Sequence, residues 1–278
     1  MQARFVTYNV QGLGARHGVM PPASPDQREF LKTVGDQIKE ADGDVVSLQE
    51  VPSKAALETL ISQEGLAEKY PYRRFFQTND AGGNHLATLS KVPFEESKGN
   101  TQKRFKIDGS REPGYLSRDI TESKVKLGGY PFRVYNSHLK ANPQMRRDDP
   151  DFARQKTFAD NLRYGEVRAL KDIIKDNVKK MPSERYVVTM DANATPTDGA
   201  VQALQKGFAP MFDPIGDKPG FDTHPSSHRR LDYVLLSDNL ASSYVPGSAE
   251  VLKSSPYRRG PDHNPQVVMV ELPDLPQV

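Results

Sequence analysis

The chain has 278 residues, 36% of them hydrophobic, with 38 Lys and Arg against 36 Asp and Glu for a formal net charge of +2. That is enough to bury one large core or two small ones, and the charge balance neither demands nor opposes a polyanionic partner. The absence of cysteine excludes disulfides, thiolate metal sites and a cysteine nucleophile, so any metal must be held by oxygen or by histidine nitrogen.

Residues 3–8 have the composition of a strand and run into Asn9, after which Gly12 and Gly14 break the pattern. Ser24-Pro25-Asp26-Gln27 opens a helix with an N-cap, a first-turn proline and the glutamine of a capping box, and Phe30, Leu31, Val34 and Ile38 give it an apolar face. Residues 44–48 form a short apolar strand that ends in Gln49-Glu50. Ser53 caps a second helix, with Leu57, Leu60 and Ile61 at helical spacing and Gly65 at its close. Residues 72–77 and 84–90 read as paired strands joined by a turn over 79–83. Residues 115–127 and 130–136 flank Gly128-Gly129, a two-residue hairpin signal, and the second of them delivers Ser137-His138. The charged segment 141–160, with Arg146, Arg147, Asp148 and Asp149, is longer than most connections and reads equally as a substrate-side loop or a solvated insertion. A helix over about 158–178 follows, with Leu162, Val167, Leu170, Ile173 and Ile174 on its apolar side.

The strand at 186–190 turns from apolar to polar within a few residues. Asp191 and Asn193 leave its end on one face, because alternate residues of an extended chain point the same way. Asp198 caps a short helix through Leu204, and 208–228 is irregular. Residues 231–236 form a strand carrying Asp232, and 245–252 form another. Tyr257-Arg258-Arg259-Gly260-Pro261 then leads to Asp262-His263, and 267–272 closes the core. With no repeat or linker and with core-like strands at both ends, one domain over 1–278 is expected. No apolar run approaches the roughly 20 residues of a membrane span, and residues 2–10 read as a strand with no signal segment ahead of them. A soluble chain without stable membrane association is expected, cytoplasmic unless a leader has been removed.

Functional groups therefore stand at strand ends or adjoining loops in six segments: Asn9, Glu50, His138, Asp191 with Asn193, Asp232, and Asp262-His263. Singly, each has an ordinary explanation: a core-edge histidine at His138, a cap ahead of a helix at Glu50, an ion-pair partner for Arg229 or Arg230 at Asp232. Together they are what a sheet-based hydrolase site requires, since residues distant in sequence meet where strands end.

Seven motifs carry a resemblance: Thr-Tyr-Asn-Val-Gln-Gly-Leu at 7–13, Asp-Val-Val-Ser-Leu-Gln-Glu-Val at 44–51, Leu-Ala-Thr-Leu-Ser-Lys at 86–91, Asn-Ser-His-Leu at 136–139, Met-Asp-Ala-Asn at 190–193, Arg-Leu-Asp-Tyr-Val-Leu at 230–235 and Asp-His-Asn-Pro at 262–265. In order and spacing they resemble the endonuclease/exonuclease/phosphatase superfamily, closest in style to deoxyribonuclease I-like nucleases. The resemblance implies an α/β fold, a four-layered sandwich of two packed mixed β-sheets flanked by helices, and metal-dependent hydrolysis of a phosphate ester. It implies Glu50 as the principal Mg²⁺ ligand with Asn9 and Asp262 near it, Mn²⁺ or Ca²⁺ being able to substitute or assist. Asp191 would align or deprotonate the attacking water, and Asn193 would hold that water or a phosphate oxygen. His263, oriented by Asp232, would be general base or cationic phosphate clamp, and His138 would protonate the leaving oxygen or stabilise the phosphate. Arg111, in Ser-Arg-Glu-Pro, is similar to a phosphate-contacting arginine of deoxyribonuclease I, and Asn84 stands where that nuclease has a glutamate paired with its histidine. The expected function is a monomeric endonuclease that cuts DNA, or RNA, to 5′-phosphate and 3′-hydroxyl ends, with Arg16, Arg111, Arg118, Arg146, Arg147, Arg229, Arg230, Arg258 and Arg259 tracking the backbone. The alternatives are a sphingomyelinase-like or small-molecule phosphoesterase, disfavoured by the absence of Trp and by polar loops, and an inactive binding module, disfavoured because every polar position is filled.

Overall fold

In the computed structural model, which describes residues 1–15, 24–253 and 259–273, the apolar runs become two six-stranded sheets. The first contains β1 (Gln2–Asn9), β2 (Val45–Val51), β3 (Tyr72–Phe76), β4 (His85–Ser90), β13 (Glu250–Val251) and β14 (Gln266–Glu271), in the order β13-β14-β1-β2-β4-β3. The second contains β5 (Phe94–Lys98), β8 (Ile120–Leu127), β9 (Tyr130–His138), β10 (Arg185–Asp191), β11 (Met211–Phe212) and β12 (Asp232–Ser237), in the order β11-β12-β10-β9-β8-β5. Each sheet has one parallel pair, β1 with β2 and β9 with β10. A parallel connection needs a crossover, and helices α1 (Pro25–Ala41) and α3 (Phe152–Lys180) supply them.

Alternation along the strands builds the layers. Phe5, Val45, Phe132, Val134, Val187, Val234 and Val268 fill the space between the sheets. Val6, Tyr8, Val46 and Leu48 pack on the other face with α1 and α2 (Lys54–Gln63). Tyr135, Tyr186, Val188 and Met190 do the same with α3 and α4 (Gly199–Leu204). Strands buried on both faces lose the polar alternation of a one-sided sheet, hence their near-continuous apolar runs. The result is the expected four-layered sandwich of two mixed sheets between helices.

All three expected helix caps form: Ser24 Oγ accepts from Gln27 N at 3.1 Å, Ser53 Oγ from Ala56 N at 3.1 Å and Asp198 Oδ1 from Ala200 N at 2.9 Å. Gly128 and Gly129 take φ of 52° and 87°, the left-handed pair that a tight hairpin turn demands. Three expectations change. The strand expected over 115–127 starts at Ile120, because Ser117 bonds Glu166 of α3 and Asp119 accepts the Asn100 and Ile120 amides, turning the chain. Residues before that turn form a separate ribbon, β6 (Arg104–Lys106) with β7 (Pro113–Tyr115). The charged segment 141–160 is a shorter loop, since α3 begins at Phe152, where Lys156 and Asp160 pair one turn apart. Of 245–252 only Glu250 and Val251 are strand, after a turn at Gly247 with φ of 82°. Strand β5, polar and largely exposed at a sheet edge, has no apolar period by which to be recognised.

Candidate active site

Strand β10 lies between β9 and β12 in register, so Asp191 has His138 opposite on one side and Asp232 on the other. These three side chains stand in one row facing the first sheet, which contributes Asn9 and Glu50. Asn9 Nδ2 donates to Asp191 Oδ2 at 2.8 Å and to Glu50 Oε1 at 3.1 Å. Its Oδ1 accepts from Gln11 N at 2.9 Å, and since a backbone N–H can only donate, this orients the amide. Asn9, expected beside the metal, therefore turns a donor toward the two carboxylates and braces them.

Glu50 reaches the cleft through a bulge. The β2–β4 register shifts between Gln49 and Val51, and Glu50 between them takes φ of 58°. Without the extra residue, strict alternation would place Glu50 on the helix-facing side with Val46 and Leu48; the bulge re-aims it.

Burial dominates the electrostatics. It raises the Glu50 carboxyl, offset in part by the Asn9 bond and the His263 charge. Asp191 is pushed up to about 7 by burial and by the neighbouring Asp232 charge, against the pull of His263 and Asn9. Burial would hold His263 down, but Asp232, Asp191 and Asp262 together outweigh it and raise the imidazole to about 10. Its Nδ1 donates to Asp232 Oδ2 at 2.7 Å, and Nε2 stands 4.0 Å from Asp191 Oδ2. His138 is held well below its usual value by burial, then by Arg118, His263 and Lys140. It is neutral near pH 7, with Nε2 3.5 Å from Asp191 Oδ2 and Nδ1 buried without a partner among the described residues.

Glu50, Asp191 and His263 line a polar cleft of about 400 Å³, together with Asn84, Asn193, Asp262, Gln11, Arg118 and His224, while Asn9, His138 and Asp232 stand behind them. Asn193, at φ of 50°, donates through Nδ2 to Leu139 O at 3.1 Å. Asn84 reaches the cleft, but its Nδ2 bonds Asp80 Oδ1 at 3.4 Å, not His138. Arg111 is exposed on the turn ahead of β7 and is not among the residues lining the cleft. The arginine that lines it is Arg118, 7% exposed, with Nε 3.1 Å from Asp80 Oδ2; in the sequence nothing sets it apart from the other backbone-tracking arginines. His224 was missed, its sole signal a Thr-His pair a few residues ahead of Arg230-Leu231-Asp232. Thr223 seats it: Thr223 Oγ1 accepts the Leu231 and Asp232 amides at 2.9 and 3.0 Å. Of the other arginines, Arg16 and Arg258 lie outside the described residues.

Ligand atoms of Glu50, His138 and Asp191 lie within 4.8 Å of one another. A buried Asp191 and a half-buried Glu50, held together by a neutral amide, offer oxygen donors that suit a hard divalent cation. The residues present fit such an ion. Asp262 lines the same cleft and its charge adds to the rise at Glu50, and its carboxylate also falls in a group with His224 and His263.

A model of the endonuclease/exonuclease/phosphatase family matches residues 6–252. Among curated proteins, the inositol phosphosphingolipids phospholipase C of Saccharomyces cerevisiae is 31% identical over 160 residues, 50% of this chain and 32% of that protein. The chain spans less than half the length of the curated relatives it matches, 32% of one and 47% of the other. Among solved structures, the endonuclease/exonuclease/phosphatase from Bacteroides vulgatus superposes with a TM-score of 0.68 at 17% identity, over 98% of this chain and all of that one. D. rerio TDP2 complexed with single strand DNA product superposes with a TM-score of 0.64 at 15% identity, over 98% and 99%. At these identities the structural likeness shows the fold.

Proposed function

The chain belongs to the endonuclease/exonuclease/phosphatase family, and from that premise we propose that it hydrolyses phosphodiesters with the help of a divalent cation, Mg²⁺ in the first place. The observation that carries this reading is the convergence of Glu50, Asp191 and the Asp232–His263 pair on one cleft. A cation held by Glu50 would neutralise charge on the phosphoryl oxygens and lower the pKa of a bound water. Asp191, balanced near neutrality, is suited to accept the water's proton, with Asn193 beside it to hold the water or a phosphate oxygen. His263 carries its proton at neutral pH, which favours the phosphate clamp over the general base. His138, kept neutral, is a poor acid as it stands and serves better as a hydrogen-bonding partner at the reacting phosphate.

For substrate, a phosphosphingolipid headgroup is favoured over a nucleic acid backbone. The Saccharomyces cerevisiae relative is a phospholipase C of inositol phosphosphingolipids. Moreover, Arg118, Arg146, Arg230 and Arg259 are each engaged with a carboxylate, namely Asp80, Asp148, Asp213 and Asp26. The endonuclease reading is the second, supported by exposed Arg229 at the cavity next to the cleft and by the likeness to the DNA-bound TDP2 structure.

The deciding experiment incubates purified protein with inositol phosphosphingolipid vesicles, sphingomyelin vesicles, plasmid and RNA, each with Mg²⁺, Mn²⁺ or EDTA. Headgroup release that needs the metal, falls by orders of magnitude in Glu50→Gln and leaves plasmid intact is the expected result. Cleavage of plasmid or RNA with intact vesicles restores the nuclease reading. Full turnover in EDTA, on any substrate, sinks the metal assignment.

A further inference from the structure

We propose that the cavity beside the cleft, enclosed by the start of α3, the loops after β9 and β10 and the residues ahead of β12, is a subsite for an uncharged polyol headgroup carried by the scissile phosphate. This rests on the phospholipase reading and adds which headgroup the chain selects. The cavity holds about 260 Å³ and shares Asn193 and Leu231 with the cleft, so a substituent of a phosphate held in the cleft can enter it. That volume is at the small end for ligand pockets and suits one ring. Its polar wall comes from Asn142, Lys156, Arg163, Thr195, Asp198 and Arg229.

The wall mixes donors with acceptors. Arg163, 1% exposed, donates to the Lys140 carbonyl at 2.5 Å and to Asn142 Oδ1 at 3.1 Å, and its Nε is buried without a hydrogen-bond partner among the described residues. With Asn142 Oδ1 engaged, the Nδ2 of that amide is left as a donor. Asn193 is the converse, since Nδ2 is used on the Leu139 carbonyl and Oδ1 remains to accept. Asp198 Oδ1 accepts the Ala200 amide, leaving Oδ2, and the Thr195 hydroxyl can act either way. The charges nearly balance. Lys156 and Arg163 share the Asp160 carboxylate and face Asp198, while exposed Arg229 makes no ion pair among the described residues. Hydroxyls donate and accept at once, so a ring of them satisfies both kinds of group. A quaternary ammonium does neither and is held elsewhere by aromatic faces; no aromatic side chain among the described residues lines this cavity, and its cations oppose that charge. A second phosphate, an acceptor only, would face Asp198 and leave the acceptors of the wall unpaired.

The test titrates inositol 1-phosphate, phosphocholine and thymidine 3′,5′-bisphosphate calorimetrically into the full chain with Mg²⁺. The first two carry the same monoester phosphate, so their difference reads the headgroup. The parent should bind inositol 1-phosphate about 10-fold or more tighter than phosphocholine, the size of one good hydrogen bond to a charged group. Arg229→Gln and Lys156→Gln, checked for native circular dichroism, should each bring inositol 1-phosphate down towards phosphocholine. Equal affinities in the parent, or a preference that survives both variants, overturns the proposal. Bisphosphate that binds tighter than inositol 1-phosphate and is lost in Arg229→Gln also overturns it, making the cavity a nucleic acid subsite. Because the readout is binding, preference without headgroup release refutes the hydrolytic reading and not the subsite, and release without preference refutes the subsite and not that reading.

Discussion

Asp232 and Asp191 act on one imidazole from two directions, the first through a 2.7 Å hydrogen bond at Nδ1 and the second across 4.0 Å at Nε2. If Asp232 serves only to orient and charge His263, the double alanine variant should lose about as much kcat/KM as His263→Ala alone, because groups acting as a unit are non-additive. Fully multiplicative losses would assign Asp232 a role of its own. A second residue-scale prediction concerns Asp119, whose carboxyl burial pushes up to about 7 even though its Oδ1 accepts two backbone amides. Between its ordinary value and about 7 the folded state binds the extra proton, so this residue's contribution to stability is full below about pH 4 and declines as pH rises to 7. Asp119→Asn keeps an oxygen for both amides and removes the titration. Denaturant unfolding should show the variant gaining on the parent by up to about 1.4 kcal/mol per pH unit across that window, and no further above it. A gap independent of pH would refute the assignment.

At the scale of elements, the ribbon of β6 and β7 rests on α3 at a glycine. A Cβ at Gly165 would run into the Phe105 ring and come within 3.2 Å of the Lys106 carbonyl. Helix propensity alone would credit Gly165→Ala with about 1 kcal/mol of stabilisation. Overpacking against the ribbon should reverse the sign, to a loss of about 1–3 kcal/mol in the unfolding free energy. A stabilised variant would mean that the ribbon lifts off without cost. The β2 bulge belongs at this scale too, because its function is a direction: it places one carboxylate at the cleft without moving the strand on either side.

Across the whole molecule, the two sheets are joined beneath the site by buried polar groups as well as by apolar packing. Asn136 donates to the Leu48 and Ala87 carbonyls at 3.1 and 3.0 Å, and its Oδ1 accepts from Gln49 Nε2 at 2.7 Å; Thr189 Oγ1 reaches Ser47 Oγ at 2.7 Å. Such bonds hold the sheets at one offset, and that offset aligns Asn9 and Glu50 with Asp191. Asn136→Leu keeps the branched shape but takes one of two acceptors from the Gln49 amide and the side-chain donor from the Leu48 and Ala87 carbonyls, so a loss of about 1–3 kcal/mol per unsatisfied group is expected in equilibrium unfolding. Unchanged stability would mean that the apolar layer alone sets the offset.

Read by itself, the sequence determined the strands and helices with strong periods, three helix caps, the Gly128-Gly129 turn and the polar residues at strand ends, because each of these depends on neighbours within a few positions. It also carried enough ordered motifs to point to the family and the four-layered sandwich. Local patterns do not record which strand ends face one another across two sheets. Tertiary structure alone decided that Asn9 presents its amide nitrogen to the carboxylates, that Arg118 rather than Arg111 lines the cleft, and that His224 joins Asp262 and His263. The physical reason is that side-chain direction at a site follows from register, bulges and sheet offset, and these are set by packing between segments far apart in the chain.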